Sequence, residues 1–177
     1  MSRQSVVVLA AACLVAVAAG CSNGSAKGAA VASGSAKAGA AQTATGNACD
    51  RKLLTAADVA GILTAPIVGT KPIPGDPQTC QFTTGSFPSI SVTLRPGLGK
   101  TTVDTWTSGR MPVAAAPLAG VGDEAAWVDP LHEVVAEKNN LLCDIQVTGT
   151  GGDFSGSVAD QQRKIGALCN KIFAAVQ

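Results

Sequence analysis

Tyrosine is absent from this chain, phenylalanine and tryptophan together supply six residues, and histidine occurs once. So few rings argue against a stacking platform for sugars or bases. Charge is sparse too: 14% of residues are Asp, Glu, Lys or Arg, and the formal net charge is +1. From residue 48 onward ten Lys/Arg stand against twelve Asp/Glu, a balance of −2. Without a basic patch, no nucleic-acid partner is expected. Close cysteine or histidine pairs are missing as well. Cys49, Cys80, Cys143 and Cys169 are widely spaced and His132 stands alone, whereas structural zinc sites carry at least one close pair. No metal and no cofactor are therefore expected. The nucleophile-elbow pattern Gly-x-Ser-x-Gly is lacking; around Gly152, Phe154 stands where the serine would be. The apolar run Val6–Val17 falls short of the about 20 residues that a membrane-spanning helix needs.

The N-terminus has the three parts of a secretory signal. Arg3 is a positive start, Val6–Val17 an uncharged apolar core, and Ala18-Ala19-Gly20 a small-residue approach to cleavage. With Cys21 next, residues 1–21 resemble a bacterial lipoprotein precursor, although Ala18 stands where leucine is commonest. The resemblance implies cleavage between Gly20 and Cys21 and lipidation of Cys21, with the membrane as a partner through that N-terminus. Several acyl chains hold a protein stably at about 0.8 kcal/mol per buried methylene, whereas one is marginal. Such a protein sits on the cell membrane and faces the extracytoplasmic side.

Residues 21–47 then read as a tether rich in Ala, Gly and Ser, too polar and too small to bury a core. Its typical span would be about 30 Å. Residues 48–177 are enough for one globular domain. Thr55-x-x-Asp58 is a capping box that opens a short helix over 56–64, stopped by Pro66. Pro72, Pro74 and Pro77 predict an extended loop. Residues 79–83 and 89–95 alternate as strands, linked through Gly85 to Pro88. Thr101-x-x-Asp104 predicts a second short helix to Arg110, followed by a loop over 112–117. Residues 124–128, 132–138 and 141–148 read as a meander, turning at Asp129-Pro130 and at Asn139-Asn140, since Asn tolerates positive φ. Ser157-x-x-Asp160 opens the longest helix, whose stripe of Ile165, Leu168, Cys169, Ile172 and Phe173 would cover the sheet. The expected fold is α+β: an antiparallel sheet of about five strands, one face covered by all three helices and the other wet.

Four domain cysteines in an exported chain read as two disulfides, and four allow three pairings. Cys80 and Cys143 point inward from strands, Cys49 precedes the first helix, and Cys169 lies on the inner stripe of the last. Pairing Cys49 with Cys80 and Cys143 with Cys169 would staple each terminal helix to the sheet.

The remaining motifs read as structure. Gly97-Leu98-Gly99-Lys100-Thr101 is no phosphate loop, because Leu94 occupies the required first glycine. Gly120-Val121-Gly122 is a bend needing positive φ. His132 with Glu133 or Asp129 would be the only acid–base pair on offer. Trp106 and Trp127 read as core. Cys49 ahead of Leu53-Leu54-Thr55-x-x-Asp58-Val59, Leu118-x-Gly120-Val121-Gly122-Asp123-Glu124-Ala125 before a meander, and the Ala-rich last helix together resemble small actinobacterial cell-envelope lipoproteins of uncharacterised families. That resemblance implies an α+β domain without known catalysis. The expected function is a lipid-anchored, non-enzymatic envelope module that binds an unknown envelope protein or small ligand. A small-molecule or lipid carrier with a pocket between helix and sheet is the first rival, an envelope hydrolase the second.

Overall fold

The computed structural model describes residues 46–85 and 87–176, all within one compact unit of the chain. Gly20, Cys21 and the tether up to residue 45 lie outside the described residues. The elements run α1 (Ala56–Val59), β1 (Gly69–Ile73), β2 (Asp76–Thr83), β3 (Ser89–Pro96), α2 (Gly99–Thr107), β4 (Ala115–Pro117), β5 (Glu124–Val128), β6 (Glu133–Lys138), β7 (Leu141–Thr148) and α3 (Val158–Val176). The class is α+β, as expected, but the sheet has seven strands in the order β1-β2-β3-β7-β6-β5-β4, not about five. All neighbours are antiparallel. Two meanders, β1–β3 and β4–β7, join where β3 pairs with β7.

The two strands beyond expectation are the edges. Pro72 lies in β1 and Pro117 in β4. Proline cannot donate to a ladder and is tolerated where one side of the strand is unpaired. Prolines that read as loop signals are here edge-strand signals, and they blunt both edges against further pairing.

Three turns follow from backbone chemistry. Asn139 and Asn140 both take positive φ, 51° and 61°, in the two-residue β6–β7 turn. Ser157 and Asp160 form the box that starts α3: the Ser157 hydroxyl donates to Asp160 at 2.9 Å and accepts the Asp160 amide at 3.2 Å. Thr55 and Asp58 do the same for α1, which is shorter than expected because Ala60 leaves the helix and Gly61 adopts φ 79°. The box at Thr101 does not form. Helix α2 begins two residues earlier, at Gly99, without a side-chain cap, and Thr102 and Thr105 instead donate back to Leu98 and Thr101 carbonyls at 2.7 Å.

Strand pairing sorts the side chains by face. Cys80, Val92, Ile145, Val134 and Trp127 lie opposite one another across five strands. They belong to the main core, which α3 closes with Ile165, Cys169, Ile172 and Phe173. The other face was expected to be wet. Instead α2 packs on its β5–β7 half, where Val103 meets Val128, Val135 and Leu142 in a second, smaller core. The helices thus cover both faces, not one. The two tryptophans part company accordingly: Trp127 is buried in the main core, and Trp106 packs on the small one.

Cys49–Cys80 and Cys143–Cys169 are the two disulfides, with Cα atoms 5.4 and 5.8 Å apart. The first ties the domain's entry to β2, the second ties α3 to β7. Asn47 is buried beside this entry; its side-chain Oδ1 accepts the Cys49 and Asp50 amides. Gly122, at φ 59°, packs so tightly that a Cβ there would collide with the Glu137 carbonyl.

Two stability outcomes follow. Replacing Cys143 and Cys169 together by alanine should lower the unfolding free energy by about 3 kcal/mol, read from urea titration, because the bond closes a 26-residue separation. Gly122→Ala should cost about 2 kcal/mol or more through strain and collision, whereas alanine at Gly75, with open space around its Cβ, should cost less.

Candidate functional site

The residues singled out by motif are structural in their settings. His132 caps a turn of 3₁₀ helix with φ 45°. Its Nδ1 is 2.9 Å from Oε1 of the buried Gln161, its ring stacks on Phe154 at 3.9 Å, and Trp127 meets it edge-on at 6.1 Å. Asp129 accepts the Trp127 indole N–H at 3.0 Å. Glu133 follows His132 in sequence but enters the strand facing the α2 side, so the two side chains sit on opposite faces of the sheet. The His132–carboxylate pair is therefore not assembled. The Gly97–Thr102 stretch is the turn into α2, and Gly120 and Gly122 both take positive φ in the bend before β5.

A different group does assemble. On the α2 side of the sheet, the strand ladders carry a row of Lys71, Gln81, Ser91, Gln146 and Glu133, ending at Val128. The next row holds Thr79, Thr93, Asp144 and Val135. Over β1–β3 this face is polar; under α2 it turns apolar at Val128, Val135 and Leu142. Glu133 and Asp144 sit at that border, diagonal to each other on adjoining strands. Glu133 is 5% exposed. Gln146 Nε2 donates to its Oε2 at 3.4 Å.

Two carboxyls this close and this dry cannot both ionise easily. Burial first, then the Asp144 charge, push Glu133 up to about 8. Burial also raises Asp144, to about 6, against the opposing pull of the Glu133 hydrogen bond and of Arg95. Both shifts run upward, so near neutral pH the two carboxyls hold a proton that exposed acids would have lost. Arg95 lies in the adjoining row and pairs with Asp76 at 3.5 Å. Asp76 is held below the usual carboxylate range, chiefly by the Thr79 hydroxyl at 2.7 Å. Thr79 and Thr93 are joined at 2.7 Å, and Gln81 donates to Ser89 at 3.1 Å. The face is thus a sheet of amide and hydroxyl groups. It offers many hydrogen-bond donors and acceptors around one negative charge, which the carboxyl pair keeps. Among the described residues no three His, Cys, Asp or Glu side chains converge as a metal would need.

This cluster escaped motif reading because neither acid belongs to a fingerprint. A signal was nonetheless present. A two-residue Asn-Asn turn sets Lys138 opposite Leu141, and counting outward places Val135 against Asp144 and Glu133 against Gln146.

The pair has a sign that titration can test. An acid whose folded pKa is raised makes the folded state hold the extra proton, so its favourable contribution is complete below the unfolded value. For Glu133 stability should fall as pH rises from about 4.5 to about 8 and then level off. Urea midpoints between pH 5 and pH 9 should record a loss on the order of 2 kcal/mol. Glu133→Gln, which removes the titrating group, should flatten that slope; a wild-type stability that rises across the window would contradict the retained proton.

No protein-family model, no curated protein and no solved structure matches this chain.

Proposed function

We propose that this is a lipid-anchored cell-envelope protein, held on the extracytoplasmic side of the membrane, that binds a ligand or partner and catalyses no reaction. The observation that carries the reading is the run from Arg3 through Val6–Val17 to Ala18-Ala19-Gly20-Cys21. Its order of charge, apolar core, small residues and cysteine is what an exported, acylated protein requires. Two disulfides in a small domain agree with it, because such bonds persist where the surroundings are oxidising. Among the described residues no helix is long and apolar enough to cross a membrane.

The surface best suited to binding is the polar sheet face beside α2. Rigid strands carry its side chains, and its donors and acceptors are half-buried, which favours specific hydrogen bonding over loose adhesion. The carrier alternative needs room between helix and sheet. That space is filled by Phe82, Ile90, Ile145, Ile165, Ile172 and Phe173, all fully buried. A cleft of about 440 Å³ lies instead on the flank of α3, against Leu118–Val121.

Intact mass spectrometry of the protein extracted from its native membrane tests the anchor. The expected mass begins at Cys21, carries acyl chains, and gains about four hydrogens on reduction of two disulfides. Cys21→Ala should move the protein from the membrane fraction to the medium. A wild-type mass without lipid would remove the basis of this function.

A further inference from the structure

Four large apolar side chains stand exposed among the described residues: Val68, Phe87, Leu98 and Val158. Val68 and Phe87 share one end of the sheet. Gly69, Thr83, Ser89 and Thr148 lie opposite one another across β1, β2, β3 and β7, as the terminal row of these pairings. Val68 stands just beyond that row, its amide donating to the Thr83 carbonyl at 2.8 Å. Its neighbour Ile67 packs on the main core, whereas Val68 is 68% exposed. Phe87 lies in the β2–β3 hairpin, which Thr84 closes by donating its amide and its hydroxyl to the Pro88 carbonyl at 3.3 and 3.0 Å. Pro88 is buried, and a Cβ on Gly149 would stand 3.3 Å from it. Phe87 is left half exposed at the tip.

The segments that build this end carry no charge. Residues 59–70, 77–94 and 145–152 contain no Asp, Glu, Lys, Arg or His, and they supply the approach to β1, the β2–β3 hairpin and the end of β7. Asp153, the next acid, is engaged by the Thr150 amide and hydroxyl at 2.7 and 2.9 Å. Two side chains cover far less than the about 800 Å² that each partner of a standard protein complex buries. A ring and a branched aliphatic chain without charge instead suit the boundary between lipid headgroups and acyl chains, where aromatic rings collect and charge is costly. The domain is entered from the opposite end of β2, where Asn47 Nδ2 donates to the Pro77 carbonyl at 3.2 Å. From Pro77 to Thr83 a strand advances about 20 Å. Residues 21–45 have a composition whose typical span is about 30 Å at that length, long enough for the tip to turn onto a bilayer that holds Cys21.

We propose that Val68 and Phe87 form a second membrane contact: they enter the headgroup–acyl boundary of a phospholipid bilayer and fix how the anchored domain stands on it. The proposal rests on the anchored reading for the nearness of that bilayer, not for the chemistry of the tip. So small an apolar surface holds a free domain only weakly. A tether makes the same contact intramolecular and raises its effective concentration, so a weak tip suffices to orient an anchored domain. No charge takes part, so the contact is insensitive to salt.

From residue 21 onward Cys21 is the only cysteine outside the two disulfides. Its thiol can therefore be coupled to a maleimide lipid in phosphatidylcholine vesicles, whether or not the cell acylates it. Phe87→Trp places a fluorescent ring at the tip, and brominated phosphatidylcholine should quench the emission it adds at least about twofold. Wild-type emission, from Trp127 and Trp106 on the two cores, should stay unchanged. With Cys21 capped by N-ethylmaleimide instead, Val68→Ser combined with Phe87→Ser should lower partition into these vesicles at least about tenfold. Leu98 lies at the other end of the sheet, where the Gly97 and Gly99 amides donate to the Asn140 carbonyl. Leu98→Ser should keep partition within about twofold of wild type at low and high salt alike. Added emission that is not quenched would overturn the tip, as would equal partition of the double variant, or binding that needs anionic lipid and fails in salt. So would an envelope protein that shields Phe87 where bilayers do not, which would make the tip a protein-docking site. Quenching in the coupled chain, beside a native protein that carries no lipid, would uphold the tip and reject the anchor.

Discussion

The antiparallel pairing of β3 with β7 is the contact on which the rest of the domain depends. It runs the full eight residues of each strand, Ser89 opposite Thr148 through Pro96 opposite Leu141. Each partner belongs to a separate meander, so this ladder alone turns two small sheets into one of seven strands. Once joined, Ile90, Val92, Leu94, Cys143, Ile145 and Val147 form one continuous floor on which α3 lies. The Cys143–Cys169 bond grows directly from that floor, which is why the last helix and the central strand are inseparable.

A period of two then dictates the opposite face. Every residue placed toward α3 obliges its neighbour to point toward α2. In β7 this sends Leu142, Asp144 and Gln146 to the same side, although only Leu142 finds an apolar partner there. Helix α2 covers the apolar half and stops at the acids. The polar remainder is too rich in amides and hydroxyls to be an accidental gap in a core, and it is too well bonded internally to be loose surface. The proposed binding face arises at this border, where a covered and an uncovered half of one sheet meet.

The acids also divide the pH scale. Asp58 is held down at about 2, chiefly by Lys171, so its contribution is lost only in strong acid. Glu133 acts at the other end. Between these limits the Asp58–Lys171 tie between α1 and α3 is charged while Glu133 still holds its proton.

Much of this was legible beforehand because it is local. Alternation over 89–95 and 141–148 marked the strands, Ser157 and Asp160 marked the start of α3, and the apolar stripe of α3 marked its buried side. The disulfides join the cysteines that are neighbours in sequence, Cys49 with Cys80 and Cys143 with Cys169, the pairing favoured among three. What misled were Pro72, Pro77 and Pro117, which lie in strands, whereas Pro74 does sit in a turn: proline denies one hydrogen bond, and only the place of a strand in the sheet decides whether that bond was needed. Thr101 misled for a similar reason, since contacts of Gly99 with the Asn140 turn start α2 earlier than the box would. The sequence by itself determined the α+β class and the inward faces of the long elements. Only the tertiary structure decided that α2 crosses to the second face, that β3 pairs with β7, and that Glu133 is buried there. Those outcomes depend on which strands and helices become neighbours, a long-range choice that no local pattern encodes.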